Sequence, residues 1–117
     1  MKILSFILIV LTFITYQKID VIGSWTNCST GDGKGMQINY NVCPVIDFKE
    51  NGRGIINSKY EFHWTIKDQT IIFSSDSKDA TQFFGNNLKF QMKSYSDSKL
   101  QYLKLIDDDG NWFLLAK

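Results

Sequence analysis

Few side chains in this 117-residue sequence could take part in chemistry, and their spacing limits what they could do. His63 is the only histidine, so a histidine metal site or a Ser-His-Asp triad would depend on this one residue. The sequence pairs no nucleophile with a base, and no two carboxylates form a credible catalytic pair. We therefore expect a protein that is not an enzyme and that needs no metal and no cofactor.

The acidic segment Asp107-Asp108-Asp109-Gly110-Asn111 resembles the opening of a calcium-binding loop. Such a loop also needs a later acidic residue to close the site, and residues 112–117 contain none. The Asp-Gly-Asn sequence is equally typical of a solvated hairpin turn. We expect the turn.

Cys28 and Cys43 are the only cysteines, and they lie 15 residues apart. An even number of cysteines in an exported domain predicts a disulfide rather than a reactive thiol or a metal pair. Closing a loop of about 15 residues should stabilise the fold by about 3 kcal/mol. The bond would join the exit of the first strand to the bend at Cys43-Pro44.

The first segment of the chain predicts export. Lys2 is followed by an apolar run of about a dozen residues, which is shorter than the roughly 20 residues that span a bilayer. We therefore predict a signal peptide over residues 1–17, one domain over residues 18–117, and a secreted or periplasmic location. No cysteine directly follows the apolar run, so we expect no stable membrane anchor after the leader is removed.

The charge of the chain argues against two classes of partner. Removing residues 1–17 takes away Lys2, one of 13 basic side chains, and leaves basic and acidic side chains in equal number. Nucleic-acid binding rewards a clustered basic face, and so does an anionic membrane surface. We expect neither partner.

Alternating hydrophobicity indicates an all-β domain. Residues 60–67 place large apolar side chains at every even position and polar ones at every odd position, the period of a strand with one buried face. Residues 70–74 provide a hairpin partner, and we count eight or nine strands joined by short turns, with no segment of helical period. This pattern predicts an antiparallel up-and-down meander closed into a small barrel.

A family resemblance adds to this interpretation. Gly23-Ser24-Trp25 at the first strand, followed by residues 41–48, Asn51-Gly52 and residues 61–66, resembles the lipocalins, and in particular the small lipocalin-like proteins exported by bacteria. The resemblance implies a lipocalin-like β-barrel and a role in binding a small apolar ligand. From its position after Gly23 at the start of the first strand, we expect Trp25 to be a structural residue buried at the closed end of the barrel, with Trp112 and Leu114 covering it.

The aromatic side chains leave two functions open. Five of them are candidates to line a cavity: Tyr40, Tyr60, Phe62, Trp64 and Phe90. The same side chains could instead fill a narrow eight-stranded barrel completely. The protein would then be a module without a cavity that binds or inhibits a protein partner through an edge strand or through the rim loops at residues 29–35 and 74–79. In either case we expect a monomer, with His63 on the outer, polar face.

Overall fold

The computed structural model describes residues 19–85, 87–97 and 99–117. The predicted signal peptide, residues 1–17, lies outside the described residues.

Nine strands and one short helix make up the described chain, with a 3-10 turn at Glu50–Gly52. The strands are β1 Gly23–Gly31, β2 Gln37–Asn39, β3 Val45–Lys49, β4 Arg53–Ile56, β5 Tyr60–Lys67, β6 Thr70–Ser74, β7 Lys89–Ser96, β8 Gln101–Ile106 and β9 Trp112–Ala116. The helix, α1, spans Lys78–Phe84 between β6 and β7.

The strands close into an antiparallel barrel. Eight of them, β1 and β3 to β9, follow one another around the sheet, and the pairing of β1 with β9 closes the ring. The short strand β2 pairs only with the last part of β1, so it extends beyond the barrel. The predicted all-β up-and-down barrel is confirmed.

The local sequence explains the tight connections. Asp68 adopts a left-handed conformation, with φ of 58°, in the two-residue turn between β5 and β6. Asn51 does the same, with φ of 62°, in the predicted Asn-Gly turn between β3 and β4. Asn and Asp tolerate this conformation better than most residues, which fixes where each hairpin reverses.

The prediction that the chain has no helical segment was wrong. Residues 74–79 are not a simple rim loop, because α1 begins at Lys78. The hydroxyl of Ser77 caps the helix by accepting the N–H of Ala80, and Gly85 ends it with φ of 88°. Ala80 and Phe84 are buried, so the helix lies across one end of the barrel.

Side chains fill the barrel interior. Phe84 of the helix stacks on Phe73 of β6 at 3.9 Å between ring centroids, and Phe73 also contacts Phe48, Phe62 and Phe90. The buried core residues are Val21, Trp25, Ile46, Phe48, Ile56, Phe62, Ile71, Phe73, Ala80, Phe84, Phe90, Met92, Leu103, Leu105 and Leu115. Edge-to-face aromatic pairs of this kind add to the free energy of burial.

A bulge in β1 changes which residues face inward. The pairing of β1 with β9 shifts between Asn27 and Ser29, and beyond the shift Thr30 pairs with Phe113, which packs on the core. The buried amide of Asn27 holds the bulge by donating to the carbonyls of Ser29 and Leu114, both at 3.1 Å. Since directly paired residues share a face, Thr30 lies on the inward face of the barrel.

The sequence led us to expect that Trp112 covers Trp25, and this prediction was wrong. Trp112 pairs with Gly31, six residues further along β1, which is about 20 Å in a strand. Its ring packs so closely on Gly31 that a Cβ added there would overlap the ring. The ammonium of Lys104 lies 4.8 Å from the ring centre. Trp112 is therefore a structural residue of the opposite end of the barrel.

Candidate functional site

An open cavity lies at the end of the barrel that α1 covers, which we call the mouth. Its volume is about 300 Å³. It lies between the C-terminal end of α1, the turn from β8 to β9, and the last residues of β1. The residues that border it are Thr30, Gly31, Tyr40, Phe83, Phe84, Gly85, Asn87, Asp107, Asp109, Asn111, Trp112 and Phe113.

Aromatic rings form the floor of the mouth. Phe83 of α1 stacks on Phe113 of β9 with 5.6 Å between ring centroids, and Phe84 contacts both rings edge-on. Phe83 and Phe113 are half-buried and pack against the core, while Phe84 is buried. The floor of the mouth is therefore aromatic, while polar side chains such as Asp107, Asp109 and Asn111 border the same cavity.

A hydrogen-bonded turn forms one side of the rim. The carboxylate of Asp107 is almost completely buried, and its Oδ1 accepts the backbone N–H groups of Asp109 and Asn111, each at 2.9 Å. Its Oδ2 accepts the side-chain amides of Asn111 at 3.2 Å and Asn87 at 3.3 Å. Asn87 also donates to Asp109 at 2.7 Å. Asp107 thus shapes the predicted hairpin turn, which is confirmed.

The opposite side of the rim is the hairpin of residues 29–43, which the disulfide closes at its base. Cys28 and Cys43 are bonded, with their Cα atoms 4.6 Å apart. The backbone N–H of Tyr40 donates to the carbonyl of Cys28 at 2.9 Å, and the Tyr40 hydroxyl lies 3.4 Å from that of Thr30. The predicted disulfide is confirmed, and it fixes Tyr40 at the edge of the mouth.

The inward face of the barrel continues onto this hairpin as an exposed apolar surface. Ile38 pairs directly with Thr30, so its side chain lies on the same face, above the mouth. Strand parity places Met36 and Tyr40 on that face as well. The exposed fractions are 67% for Met36, 52% for Ile38, 40% for Tyr40 and 87% for the following Val42. We call Met36, Ile38 and Tyr40 the mouth wall.

The tip of the hairpin is fixed by one carboxylate. Oδ1 of Asp32 accepts the backbone N–H groups of Met36 and Lys34, each at 2.9 Å. These bonds lower the pKa of the Asp32 carboxyl below its ordinary value, because they favour the charged form. The mouth wall is therefore held at its base by a disulfide and at its tip by Asp32.

The five side chains proposed from the sequence as cavity lining lie in different places. Tyr40 borders the mouth. Phe62 and Phe90 are buried among the other core rings, so they line no open space at the mouth. Tyr60 and Trp64 are half-buried against the core, and the indole N–H of Trp64 donates to the carbonyl of Arg53 at 2.6 Å.

His63 lies on the exposed outer face of β5, as its strand parity predicted. Its cross-strand neighbours are Arg53 and Ser74. Within residues 19–85, 87–97 and 99–117, no three His, Cys, Asp or Glu side chains are grouped so that they could hold a metal ion. No helix in the described part of the chain is long and apolar enough to cross a membrane.

The sequence did not point to the floor of the mouth. Phe83 and Phe84 were missed because the helix was missed, although Ser77, Asp79 and Gly85 are a cap, a first-turn acid and a helix terminator at the correct spacing. The role of Phe113 depends on the bulge in β1, which brings it opposite Thr30. No local pattern signals that bulge.

Two further open depressions lie at the opposite, closed end of the barrel. One, of about 520 Å³, borders Trp25 and Lys117, and the other, of about 500 Å³, borders Trp64 and Ile66. Both are also bordered by Ile19, the first described residue. The mouth is the depression that combines an aromatic floor with an apolar wall held by the disulfide.

Comparison of the chain with protein-family models, with curated proteins and with solved structures gives no significant match.

Proposed function

We propose that this chain is an exported, non-enzymatic, lipocalin-like binding module that holds a small apolar ligand in the mouth of its barrel. The observation that carries the proposal is the mouth wall. Tyr40 borders an open cavity with an aromatic floor, and the exposed side chains of Ile38 and Met36 continue the same face beyond it. Exposed apolar surface next to a concave site is typical of binding sites for ligands.

The dimensions of the mouth limit the ligand. A cavity of about 300 Å³ is at the lower end of the range for small-molecule sites. The interior of the barrel is filled by aromatic and aliphatic side chains, so the ligand would rest on Phe83 and Phe113 rather than enter the barrel. We therefore expect a compact apolar ligand of one or two rings, or a short alkyl chain.

Two features support the lipocalin-like character and the export. The eight-stranded antiparallel barrel is the architecture implied by the Gly23-Ser24-Trp25 resemblance. The Cys28–Cys43 disulfide is typical of proteins in an oxidising compartment, outside the cytoplasm. A bacterial origin and a secreted or periplasmic location remain part of the proposal.

One observation favours a second function, a protein-interaction module without an internal cavity. The interior is packed, and β2 leaves one edge unpaired beyond the barrel. A partner protein would then bind at the hairpin of residues 29–43. The experiment below separates the two functions, because a packed module without a ligand site would not bind a small apolar probe at the mouth.

The proposal can be tested by titrating the protein with N-phenyl-1-naphthylamine, a neutral apolar fluorophore, and following the increase in its emission. We expect saturable binding to one site. Ile38→Ser and Tyr40→Ser should each weaken it about tenfold, since losing roughly half the burial of one large apolar side chain costs about 1.4 kcal/mol. Ile72→Ser is the matched control, because Ile72 is 44% exposed on β6, outside the mouth.

Absence of saturable binding, or equal binding by Ile38→Ser, Tyr40→Ser and the Ile72→Ser control, would contradict the proposal. Native mass spectrometry of protein purified from its source gives an independent check. A retained apolar molecule that is lost in the Tyr40→Ser protein would identify the class of ligand.

A further inference from the structure

The strand β2 is an open edge on an otherwise closed barrel. It hydrogen-bonds to β1 through residues 29–31 and has no strand on its other side within the described chain. The neighbouring strand β4 ends at Ile56, level with the start of β3, and so does not extend beside β2. All three residues of β2 are exposed.

The hydrogen bonds show which backbone groups point away from β1. The N–H of Tyr40 donates to Cys28, and the carbonyl of Met36 accepts the N–H of Asp32. In an antiparallel strand these groups point to alternate sides. The N–H and carbonyl groups of Gln37 and Asn39 therefore point outward, to the free edge.

This edge is short, but it carries no charged side chain and no proline to protect it from pairing. Natural edge strands carry charged side chains, proline or bulges that block another strand. Residues 36–42, Met-Gln-Ile-Asn-Tyr-Asn-Val, contain none of the charged residues and no proline. Their side chains alternate between apolar and amide types, which is also the pattern of a strand with one face to bury.

We propose that β2 pairs with β2 of a second copy of this chain, antiparallel and across a two-fold axis at Ile38. The outward backbone groups dictate the register. Gln37 of one chain faces Asn39 of the other in hydrogen-bonded pairs, so Ile38 faces Ile38 in a pair without backbone hydrogen bonds. This proposal does not depend on the mouth ligand, and it departs from the monomer expected from the sequence.

The side chains match in this register. Met36 of one copy faces Tyr40 of the other on the apolar side, and contacts between a thioether and an aromatic ring are favourable. On the opposite side, the amide side chains of Gln37 and Asn39 face each other and can exchange hydrogen bonds. Residues 36–40 contain no charged side chain, so pairing of two copies brings no like charges together.

The surface area that two copies could bury predicts a weak dimer. At their exposed fractions, Met36, Ile38 and Tyr40 present on the order of 300 Å² of side-chain surface in each chain. Two copies with their strand backbones would bury less than about 1,000 Å², which is in the range of weak, transient interfaces. We therefore expect a weak dimer that forms reversibly at high protein concentration.

Sedimentation velocity of the oxidised protein, from a few micromolar to about 1 mM, tests the dimer. We expect a shift from monomer to dimer with rising concentration. Ile38→Lys places two ammonium groups directly opposite each other across the axis, and it should weaken association more than tenfold. Ile72→Lys, an equally drastic change on β6, should leave the association unchanged. Monomer alone at 1 mM, or equal association of Ile38→Lys and wild type, would overturn the proposal.

Cross-linking tests the register itself. Residues facing each other in a non-hydrogen-bonded pair have Cα atoms about 4.5 Å apart, within disulfide range. Ile38→Cys should therefore form a disulfide-linked dimer under mild oxidation. In this register Gln37 of one chain lies opposite Asn39 of the other, two residues away from the second Gln37. Gln37→Cys should therefore cross-link at least tenfold more slowly. Equal rates for the two variants, or no cross-link from Ile38→Cys, would exclude this pairing.

Discussion

The ammonium group of Lys117 lies over the ring of Trp25, 5.1 Å from its centre, and donates a 2.7 Å hydrogen bond to the carbonyl of Ile22. The indole N–H of Trp25 donates in turn to the carbonyl of Val21 at 2.8 Å. These contacts close the end of the barrel opposite the mouth, and a cation over a tryptophan face is a favourable arrangement. The role expected for Trp112 at this end is thus filled by Lys117.

We predict that Trp25→Ala lowers the free energy of unfolding by about 3–5 kcal/mol, because it empties a buried site the size of an indole. Trp25→Phe should cost less, since most of the ring volume remains. Urea unfolding measures both changes. Tyr95→Ala is the control, because Tyr95 is half exposed and its removal should have little effect. A Trp25→Ala protein as stable as wild type would show that Trp25 does not support the barrel.

Gly23 also belongs to this closed end. It has φ of 131°, and a Cβ added there would lie 2.6 Å from Nζ of Lys117. We predict that Gly23→Ala destabilises the fold both through its backbone conformation and by displacing Lys117 from Trp25. In a double-mutant cycle with Lys117→Ala, the coupling should be on the order of 0.5–1 kcal/mol.

Gly35→Ala provides the control for backbone strain. Gly35 also has a positive φ, of 94°, yet a Cβ there would have no neighbour within 4 Å. Its cost should be independent of Lys117. If Gly23→Ala were equally independent of Lys117, the contact between the two residues would have no energetic weight.

The barrel could be predicted from the sequence because its strands carry a local signal. Residues 60–67 alternate strictly, and the three reversals between β3 and β6 contain an Asn or Asp in a left-handed conformation: Asn51, Asn57 and Asp68. The parity of β5 alone sufficed to place His63 outside and Phe62 inside. These features depend on a few consecutive residues, which is why one sequence reveals them.

The mouth depends on contacts between distant residues, and most of it was not predicted. The face on which Ile38 lies depends on the bulge beside Asn27, which no local pattern marks. Helix α1 has seven residues, too few for a clear helical period, so its caps at Ser77 and Gly85 were the only signal. Tyr40 was named as a candidate from its residue type, but its position at the rim comes from the disulfide.

We predict that Cys28 and Cys43 are unreactive towards a thiol reagent in the native, unreduced protein. Replacing both by Ser should lower the free energy of unfolding by about 3 kcal/mol and weaken binding of the naphthylamine probe, since the mouth wall loses its base. Mass spectrometry after alkylation measures the reactivity of the two cysteines. Labelling of either cysteine without reductant would contradict the structure.

We predict that replacing His63 changes neither stability nor binding. We expect His63→Gln to keep the stability and probe binding of the wild type, because His63 is exposed on the outer face of the barrel. Chemical unfolding and the fluorescence titration check both properties. A folded His63→Gln protein that loses binding would move the functional site from the mouth to the outer face of β5.

The last prediction concerns the stability of the protein at low pH. Asp32 accepts the N–H groups of Met36 and Lys34, and Asp97 accepts those of Lys99 and Leu100, so the pKa of each carboxyl lies below the ordinary value of 3.8. A pKa that is lowered on folding stabilises the protein fully above the unfolded value. That stabilisation is lost as the pH falls through the folded pKa.

Asp32→Ala should therefore lower the melting temperature at pH 7, and the difference from wild type should shrink as the pH falls below 3.8. Titration of the carboxyl carbons by NMR should give midpoints below 3.8 for Asp32 and Asp97. Because Asp32 holds the tip of the mouth wall, probe binding to the wild type should weaken over the same pH range. A midpoint of 3.8 or above for Asp32, or a melting-temperature difference that does not change with pH, would contradict the role given to this carboxylate.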